Sequence, residues 1–335
     1  MTKSKKRDAE KIVAHFRSIK ERPWLPESQR WWPGHLFHFT DLTNAVKILG
    51  DGKLVSRSEL ERTGGLVTDI ASPEVISTTS SRWKEYVRLY FRPRTPTQYR
   101  NEGFRPVGQR EMNAHCPVPV SFIFNADAIL TSQPTMFSDG NLAAGAEPGN
   151  TAEYFLSLPF DKIYHDRSLP KMDDTEKRNI IFHRHAEVIF PNAVELSSLR
   201  LIGCRSEAEF QTLIHLLPID VYLKWSKRIA VSRRFGLFFG RWPFIEKVNL
   251  SISTISFEFN PSVYGRSGPF HAEIELIETK TETIHRWEED NFFAKDSLSF
   301  NLSNLNSPEN YVVKFSLDGH LAYENRYLDD SALPF

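Results

Sequence analysis

One acidic side chain stands out among the residues that could carry chemistry. Glu187 lies in RHAEVIF, residues 184–190, an apolar run typical of a buried β-strand. Because side chains alternate between the two faces of a strand, Glu187 shares a face with Ile189 and not with Val188. A carboxylate in so apolar a strand is costly to bury unless a partner compensates its charge. The run therefore predicts either a structural ion pair with an Arg or Lys, or a functional carboxylate.

Further polar residues occur in three other places along the chain. His38 and Thr40 lie two positions apart in a run that reads as a strand, and Asn44 follows on a predicted helix. YFRPRTP, residues 90–96, adds aromatic rings and two arginines. These segments, together with the strand around the carboxylate, contain the candidates for binding or catalysis.

Several common catalytic and metal-binding patterns are absent from the sequence. It has neither a Gly-rich phosphate loop nor a G-x-S-x-G or H-E-x-x-H pattern, which argues against common nucleotide-binding and hydrolase folds. Cys116 and Cys204 are the only cysteines and lie far apart, so a thiolate metal site is not expected. His183 and His185 flank an arginine, but no set of Cys or carboxylates completes a site, and we predict no metal.

Charge is unevenly distributed along the 335 residues, although the 42 basic and 42 acidic side chains cancel. Residues 82–110 contain eight basic and two acidic side chains. Residues 224–242 contain six basic side chains and five aromatic rings, without an acidic one. Residues 246–335 compensate with 15 acidic and seven basic side chains. The basic stretches are typical either of nucleic-acid binding or of ordinary solvated faces.

The apolar periodicity predicts an α+β protein. Residues 1–35 combine a basic amphipathic helix with a Trp- and Pro-rich arm, and residues 36–220 mix strand-like runs with helical segments. Asp41 is expected to cap a helix in this second region. Residues 221–245 read as a basic aromatic linker, and short alternating runs in residues 246–335 predict a small, acidic, sandwich-like all-β domain.

Composition also predicts the solubility and the subcellular location of the protein. No run approaches the roughly 18 apolar residues of a membrane-spanning helix, and the Lys-rich start does not lead into the apolar run of a signal peptide. Two isolated cysteines suit a reducing compartment. We therefore expect a soluble cytoplasmic protein with no membrane partner.

The polar segments, taken in chain order, resemble the DarT family of DNA ADP-ribosyltransferase toxins. The resemblance covers roughly residues 36–218 and rests on four pieces, LFHFTDLTNAVKILGDGKL, YFRPRTPTQY, MFSDGNLAAG and KRNIIFHRHAEVIF. It implies a compact split β-sheet ADP-ribosyltransferase core, in agreement with the α+β prediction, and NAD⁺ as the co-substrate.

The resemblance makes Glu187 the catalytic glutamate. Cleavage of the bond between nicotinamide and ribose builds positive charge on the sugar, which a fixed carboxylate can stabilise. The attacking base nitrogen also loses a proton, which the same carboxylate or a neighbouring group could accept. Glu153, the rival carboxylate, lies in a Gly-rich loop and is interpreted as an exposed or capping residue.

Two further groups of residues take their roles from the same resemblance. Hydrogen bonds from the first strand and stacking on an aromatic ring would hold the dinucleotide. The residues expected to bind NAD⁺ are His38, Phe39, Thr40, Asn44, Tyr90 and Phe91. The residues expected to contact nucleic acid are Arg92, Arg94, Thr97 and Tyr99. A Gly-containing segment, residues 137–155, resembles a mobile loop beside the active site.

The sequence departs from the family pattern in three respects. Family members carry an Arg upstream of the YFxPR motif that assists catalysis, but no Arg lies between Arg62 and Arg82, so Arg82 is taken as its substitute. Thr97 stands where family members often have Met. The C-terminal β-domain has no counterpart in the minimal toxin.

The predicted function is ADP-ribosylation of bases in single-stranded DNA, as a toxin of a toxin–antitoxin or anti-phage defence system with a cognate antitoxin as partner. Single strands are favoured because their bases are exposed and can stack on aromatic rings. One alternative is RNA as the substrate. Another is a non-catalytic nucleic-acid-binding module with the same fold.

Overall fold

The computed structural model describes residues 4–65, 68–70, 77, 80–169, 172–261 and 267–329. The chain divides into two compact units, each built from separate segments. The first unit consists of Met1–Phe39, Asp51–Tyr99 and Ser121–Ile202, and the second of Thr40–Gly50, Arg100–Val120 and Gly203–Phe335. The domain division at 36–220, 221–245 and 246–335 stays a prediction.

The α-helices are short, and side-chain caps mark several of their starts. Asp41 accepts a hydrogen bond from the backbone N–H of Thr43 at 3.0 Å, which confirms the predicted cap. Thr151, Asp173 and Ser206 cap later helices in the same way. In chain order the helices are α1 (Ala9–Ser18), α2 (Leu42–Asp51), α3 (Arg57–Thr63), α4 (Ser81–Lys84), α5 (Pro96–Asn101), α6 (Ala126–Leu130), α7 (Ala152–Leu156), α8 (Phe160–Ile163), α9 (Asp174–His183), α10 (Glu207–Leu216) and α11 (Ile219–Trp225).

The strands of the first two-thirds of the chain form a seven-stranded sheet and a small two-stranded one. The large sheet has the order β5-β6-β3-β1-β4-β8-β9, and β2 pairs with β7. These strands are β1 (His35–Asp41), β2 (Lys53–Val55), β3 (Tyr86–Tyr90), β4 (Pro119–Asn125), β5 (Met136–Phe137), β6 (Glu187–Pro191), β7 (Ala193–Glu195), β8 (Leu199–Cys204) and β9 (Ile229–Val231).

The C-terminal part of the chain consists of antiparallel strands, as the alternating apolar pattern predicts. One sheet has the order β10-β11-β14 and the other the order β13-β12-β15-β16. The strands are β10 (Ile245–Leu250), β11 (Thr254–Phe259), β12 (Phe270–Glu278), β13 (Ile284–Phe292), β14 (Ser297–Asn301), β15 (Asn310–Leu317) and β16 (His320–Leu328). The α+β class with C-terminal antiparallel β-structure is confirmed.

An aromatic cluster forms part of the core of the first unit. The predicted N-terminal amphipathic helix is confirmed as α1, and its Phe16 is fully buried. Phe155 on α7 lies at the centre of the cluster, with its ring centroid 4.9 Å from that of Phe137 and 5.5 Å from that of Phe160. Phe91, which directly follows β3, contacts the same rings. The cluster therefore supports the end of the strand that enters the candidate site.

No helix among the described residues is both long and apolar enough to cross a membrane.

Replacement of Phe155 by Ala should destabilise the protein by about 3–5 kcal/mol, because it leaves a cavity among packed rings. Urea unfolding followed by circular dichroism measures the loss. Leu156→Ala on the same helix is the matched control, since Leu156 is 41% exposed and should cost little. Equal, small losses for the two variants would contradict this view of the core.

Candidate active site

The candidate active site in the first unit is built on a row of side chains that crosses three strands. β3 pairs with β6 so that Tyr90 lies opposite Glu187, and β1 pairs with β3 so that Phe37 lies opposite Tyr90. Directly opposed residues of antiparallel strands project from the same face of a sheet. Phe37, Tyr90 and Glu187 therefore lie side by side on one face.

The Glu187 carboxylate is only 2% exposed and has two partners on different elements. Arg88 on β3 lies with its Nη1 atom 3.4 Å from Oε1, and the backbone N–H of Leu142 donates to Oε2 at 3.3 Å. Burial raises the pKa of Glu187, while the charge of Arg88 and the hydrogen bond from Leu142 lower it. An ion pair with an arginine, one of the two alternatives that the apolar strand predicted, is therefore present.

The loop after β5 is anchored to the strand of Glu187. The backbone N–H of Ser138 donates to the carbonyl of Glu187 at 2.8 Å, and the Ser138 hydroxyl accepts from the Glu187 N–H at 3.0 Å. Leu142 is buried in a cluster that includes Trp83 and Ile189. Gly140 makes the loop possible, because a Cβ atom there would lie 2.2 Å from the ring of Phe182. This glycine of the predicted mobile loop therefore serves close packing.

His38 reaches the same strand that carries Arg88. Its Nδ1 atom lies 3.1 Å from the backbone carbonyl oxygen of Arg88. Burial lowers the pKa of His38, which favours the neutral ring. In the neutral form that donates from Nδ1 to this carbonyl, Nε2 is an acceptor for a ligand hydroxyl. A neutral ring with an acceptor at Nε2 suits contact with a sugar hydroxyl. His38 follows Phe37 in β1, so in a regular strand it projects from the opposite face to Phe37, Tyr90 and Glu187.

Thr40 and Asn44 belong to the second unit and contact each other. The Asn44 side-chain amide donates to the Thr40 hydroxyl at 3.2 Å, and both side chains are buried. Phe39 is 7% exposed, and Phe91 lies fully inside the aromatic cluster of the first unit. Among the predicted rings, Tyr90 is the one beside the carboxylate, and burial together with the charge of Glu187 raises the pKa of its hydroxyl.

The residues predicted to contact nucleic acid differ in exposure. Arg92 is 1% exposed, and its guanidinium donates to the carbonyl of Ile163 at 3.4 Å and forms an ion pair with Asp166. Burial lowers the pKa of Arg92 to about 10. Arg94 pairs with the same Asp166 but is partly exposed.

Thr97 is half-buried at α5, and Tyr99 on the same helix is 41% exposed. Residues 92–99 thus combine one buried arginine, Arg92, with three more exposed side chains, those of Arg94, Thr97 and Tyr99.

Arg82 was predicted from the sequence as the arginine that assists catalysis, whereas in the structure Arg88 lies against the Glu187 carboxylate. Arg82 on α4 is exposed, with its guanidinium 4.5 Å from the centroid of the Trp83 ring. Within the described part of the chain, Arg88 is the cation that lies within 4 Å of the Glu187 carboxylate. Sequence reasoning missed Arg88, although the signal was available: it is a charged residue in the apolar run VRLYF, like Glu187 in its own strand.

Among the described residues, no group of three or more His, Cys, Asp or Glu side chains is arranged to hold a metal ion.

Comparison with known proteins gives one family and several solved structures. Residues 37–238 match the family model described as "DarT: ssDNA thymidine ADP-ribosyltransferase". DarT from Thermus sp. 2.9 in complex with ADP-ribosylated ssDNA is 16% identical with a TM-score of 0.46, over 63% of this chain and 97% of that one. The same protein in complex with NAD⁺ is 16% identical with a TM-score of 0.44, over 61% and 97%.

DarTG from Thermosipho africanus in complex with ADP-ribose is 16% identical with a TM-score of 0.43. It is matched over 65% of this chain and 53% of its own length. No curated protein sequence matches this chain.

Replacement of Asp166 by Ala should destabilise the protein by about 3 kcal/mol, because it leaves the buried Arg92 guanidinium without its carboxylate. Chemical unfolding gives the free-energy difference. Asp161→Ala, which removes an exposed carboxylate from nearby α8, is the matched control and should change stability by less than about 0.5 kcal/mol. An unchanged unfolding midpoint for the Asp166 variant would contradict the assigned role of this ion pair.

Proposed function

Because the chain belongs to the DarT family, and is therefore an NAD⁺-dependent ADP-ribosyltransferase, we propose that it transfers ADP-ribose to a thymine of single-stranded DNA with Glu187 as the catalytic carboxylate. The observation that carries this proposal is the Glu187 carboxylate itself, buried beside Tyr90 and held by Arg88 and Leu142. Such a group is fixed where charge can develop on a bound sugar.

The reaction couples a bond that breaks to a bond that forms. The C–N bond between nicotinamide and ribose breaks, and its electron pair leaves with neutral nicotinamide. The free ring nitrogen of thymidine is N3, because N1 already carries the deoxyribose, so N3 forms the new bond to the anomeric carbon. Its proton passes to a base. Glu187 stabilises the positive sugar, and it or a neighbouring group accepts the proton.

NAD⁺ binding is assigned to the residues around this carboxylate and at the end of β1. The neutral His38 ring presents Nε2 as an acceptor for a ribose hydroxyl, and Tyr90 offers a ring beside Glu187. Phe91 supports Tyr90 from the aromatic cluster. The remaining residues proposed for this role are Phe39, Thr40 and Asn44.

DNA binding is assigned to the segment that follows β3. Tyr99 is exposed and suited to a base that stacks at about 1–3 kcal/mol. Arg94 is partly exposed beside Asp166 and is proposed to contact a phosphate. Thr97 lies between them on α5. Arg92 serves the same surface from inside, because its bonds to Ile163 and Asp166 hold the backbone of the segment in place.

For the C-terminal β-structure we propose a sandwich. The supporting observation is that rings from one sheet contact rings from the other: Phe257 on β11 lies 5.1 Å from Phe315 on β15 and 5.9 Å from Tyr323 on β16, centroid to centroid. Phe259 likewise lies 5.8 Å from Phe292 on β13. Ring contacts between the inner faces of two sheets are typical of face-to-face packing, which supports the proposed sandwich.

A toxic role follows from the chemistry of the product. N3–H of thymine is a Watson–Crick donor, so an ADP-ribosyl group on that nitrogen blocks base pairing and stops copying of the strand. We propose that the protein is a cytoplasmic toxin of a toxin–antitoxin or anti-phage defence system, with a cognate antitoxin as its partner. RNA is the alternative substrate, because uracil presents the same nitrogen.

Replacement of Glu187 by Gln should abolish transfer of ADP-ribose to a thymidine-containing oligonucleotide, because the amide keeps the shape of the side chain and loses its charge. The loss should be at least about a hundredfold, the effect of removing one electrostatic contact to a transition state. Transfer is measured with labelled NAD⁺ and mass spectrometry of the digested nucleosides. Glu153→Gln, at an exposed position of α7, is the matched control.

The same assay separates the alternatives. Label on a uridine-containing RNA and not on DNA would identify RNA as the substrate. A wild-type protein that binds oligonucleotide in a salt-sensitive manner but releases no nicotinamide would be a non-catalytic binding module. Wild-type rates in Glu187→Gln would remove the catalytic role of this carboxylate.

A further inference from the structure

Arg88 contacts both Glu187 and His38. It lies on β3 two residues before Tyr90, so both project from the same face of the strand. Its side chain is 25% exposed and contacts Glu187 across the ladder, and its backbone carbonyl oxygen lies 3.1 Å from His38 Nδ1. One residue therefore contacts the catalytic carboxylate through its side chain and the histidine through its backbone.

We propose that Arg88 is a positioning residue that holds the Glu187 carboxylate as the anion and fixes the direction of its Oε1 atom before NAD⁺ binds. This inference rests on the proposed catalytic role of Glu187. It goes beyond that role because it names the cation on which the charge of the carboxylate depends.

Burial of the Glu187 carboxylate disfavours its charged form. An isolated carboxylate buried in an apolar sheet takes up a proton, because desolvation disfavours its charged form. Glu187 has one neutral donor, the Leu142 N–H, and one cation, Arg88. Since an opposite charge within about 4–6 Å lowers a carboxyl pKa by about 1–3 units, Arg88 supplies the contact that opposes desolvation most directly.

Other titratable groups lie near Arg88 and Glu187. Tyr90 stays neutral, because burial and the charge of Glu187 raise the pKa of its hydroxyl. His38 is neutral near pH 7, because burial lowers its pKa. In the loop after β5, His183 Nδ1 lies 2.6 Å from the backbone carbonyl oxygen of Asp139. Arg88 is thus the permanent positive charge in contact with Glu187 among the described residues.

Two contacts orient the Glu187 carboxylate. Each oxygen of the carboxylate has its own partner, Arg88 at Oε1 and Leu142 at Oε2, so the plane of the carboxyl group is fixed from two sides. A substitution of the Arg88 side chain removes one of these contacts. It leaves the backbone carbonyl that orients His38 unchanged, so the two functions of residue 88 can be tested separately.

The test compares Arg88→Met and Arg88→Lys with wild type by nicotinamide release from NAD⁺ at saturating thymidine-containing single-stranded DNA. Because DNA is saturating, the acid limb of kcat/KM for NAD⁺ reports a group of the enzyme–DNA complex that must be ionised before NAD⁺ binds. For Arg88→Met this limb should move to higher pH by about 1–3 units, so that activity lost at neutral pH returns as the pH rises. Arg88→Lys should show a smaller shift. Arg200→Met, at an exposed arginine on β8, should overlay the wild-type curve.

The outcomes separate this inference from the proposed function. Failure of the wild type to release nicotinamide, or wild-type rates in Glu187→Gln, would overturn the catalytic role of Glu187 and the inference with it. An inactive Glu187→Gln together with an unmoved acid limb in Arg88→Met would overturn the role of Arg88 alone, even if the rate fell at every pH. Should Arg88→Met fail to fold, judged by circular dichroism, Arg88→Lys and Arg88→Gln carry the same comparison, and unmoved limbs in both would refute the proposal.

Discussion

The structure of the first unit depends on the cost of placing one carboxylate inside an apolar sheet. Glu187 begins β6 and is almost completely buried, so its charge has to be compensated from neighbouring elements. β3 contributes Arg88, and the loop after β5 contributes the backbone N–H of Leu142. That loop in turn is held by Ser138 and by the burial of Leu142. The contacts that hold this loop in place are therefore also those that compensate the charge of the carboxylate.

The YFRPRTP segment shows a second use of a buried charge. Arg92 was expected to contact nucleic acid, and its side chain lies inside, bound to Asp166 and to a carbonyl oxygen of the chain. Arg94 shares the same carboxylate from a more exposed position. Two arginines of one motif thus differ in burial: Arg92 is internal and contacts backbone carbonyls, whereas Arg94 is partly exposed and shares the Asp166 carboxylate with it. Spacing in the sequence cannot tell which arginine is buried, because Arg92 directly precedes and Arg94 directly follows the same proline, Pro93.

Local patterns predicted many of the elements correctly. The apolar spacing of α1, the cap of α2 by Asp41 and the alternating strands of the C-terminal part all depend on neighbours a few residues apart. A local contrast, a carboxylate in an apolar strand, also singled out Glu187, and the family resemblance then assigned it the catalytic role. Arg88 shows the same contrast, since it is a charged residue in the apolar run VRLYF. It was not predicted, because the family resemblance pointed to an arginine further upstream, for which Arg82 was the substitute. The structure instead places Arg88, and no other described cation within 4 Å, against the carboxylate.

The sequence by itself determined the family, the α+β class, the NAD⁺-dependent chemistry and the identity of the buried carboxylate, because motifs, periodicity and charge are properties of short stretches. Tertiary structure alone decided the partners of that carboxylate. Arg88 and Glu187 are 99 positions apart, and their contact requires β3 to pair with β6 in a register that places Tyr90 opposite Glu187. A shift of one residue would turn every side chain of the strand to the other face. Strand pairing is set by the packing of the whole unit, so a local pattern can identify a charge that needs a partner but not the partner itself.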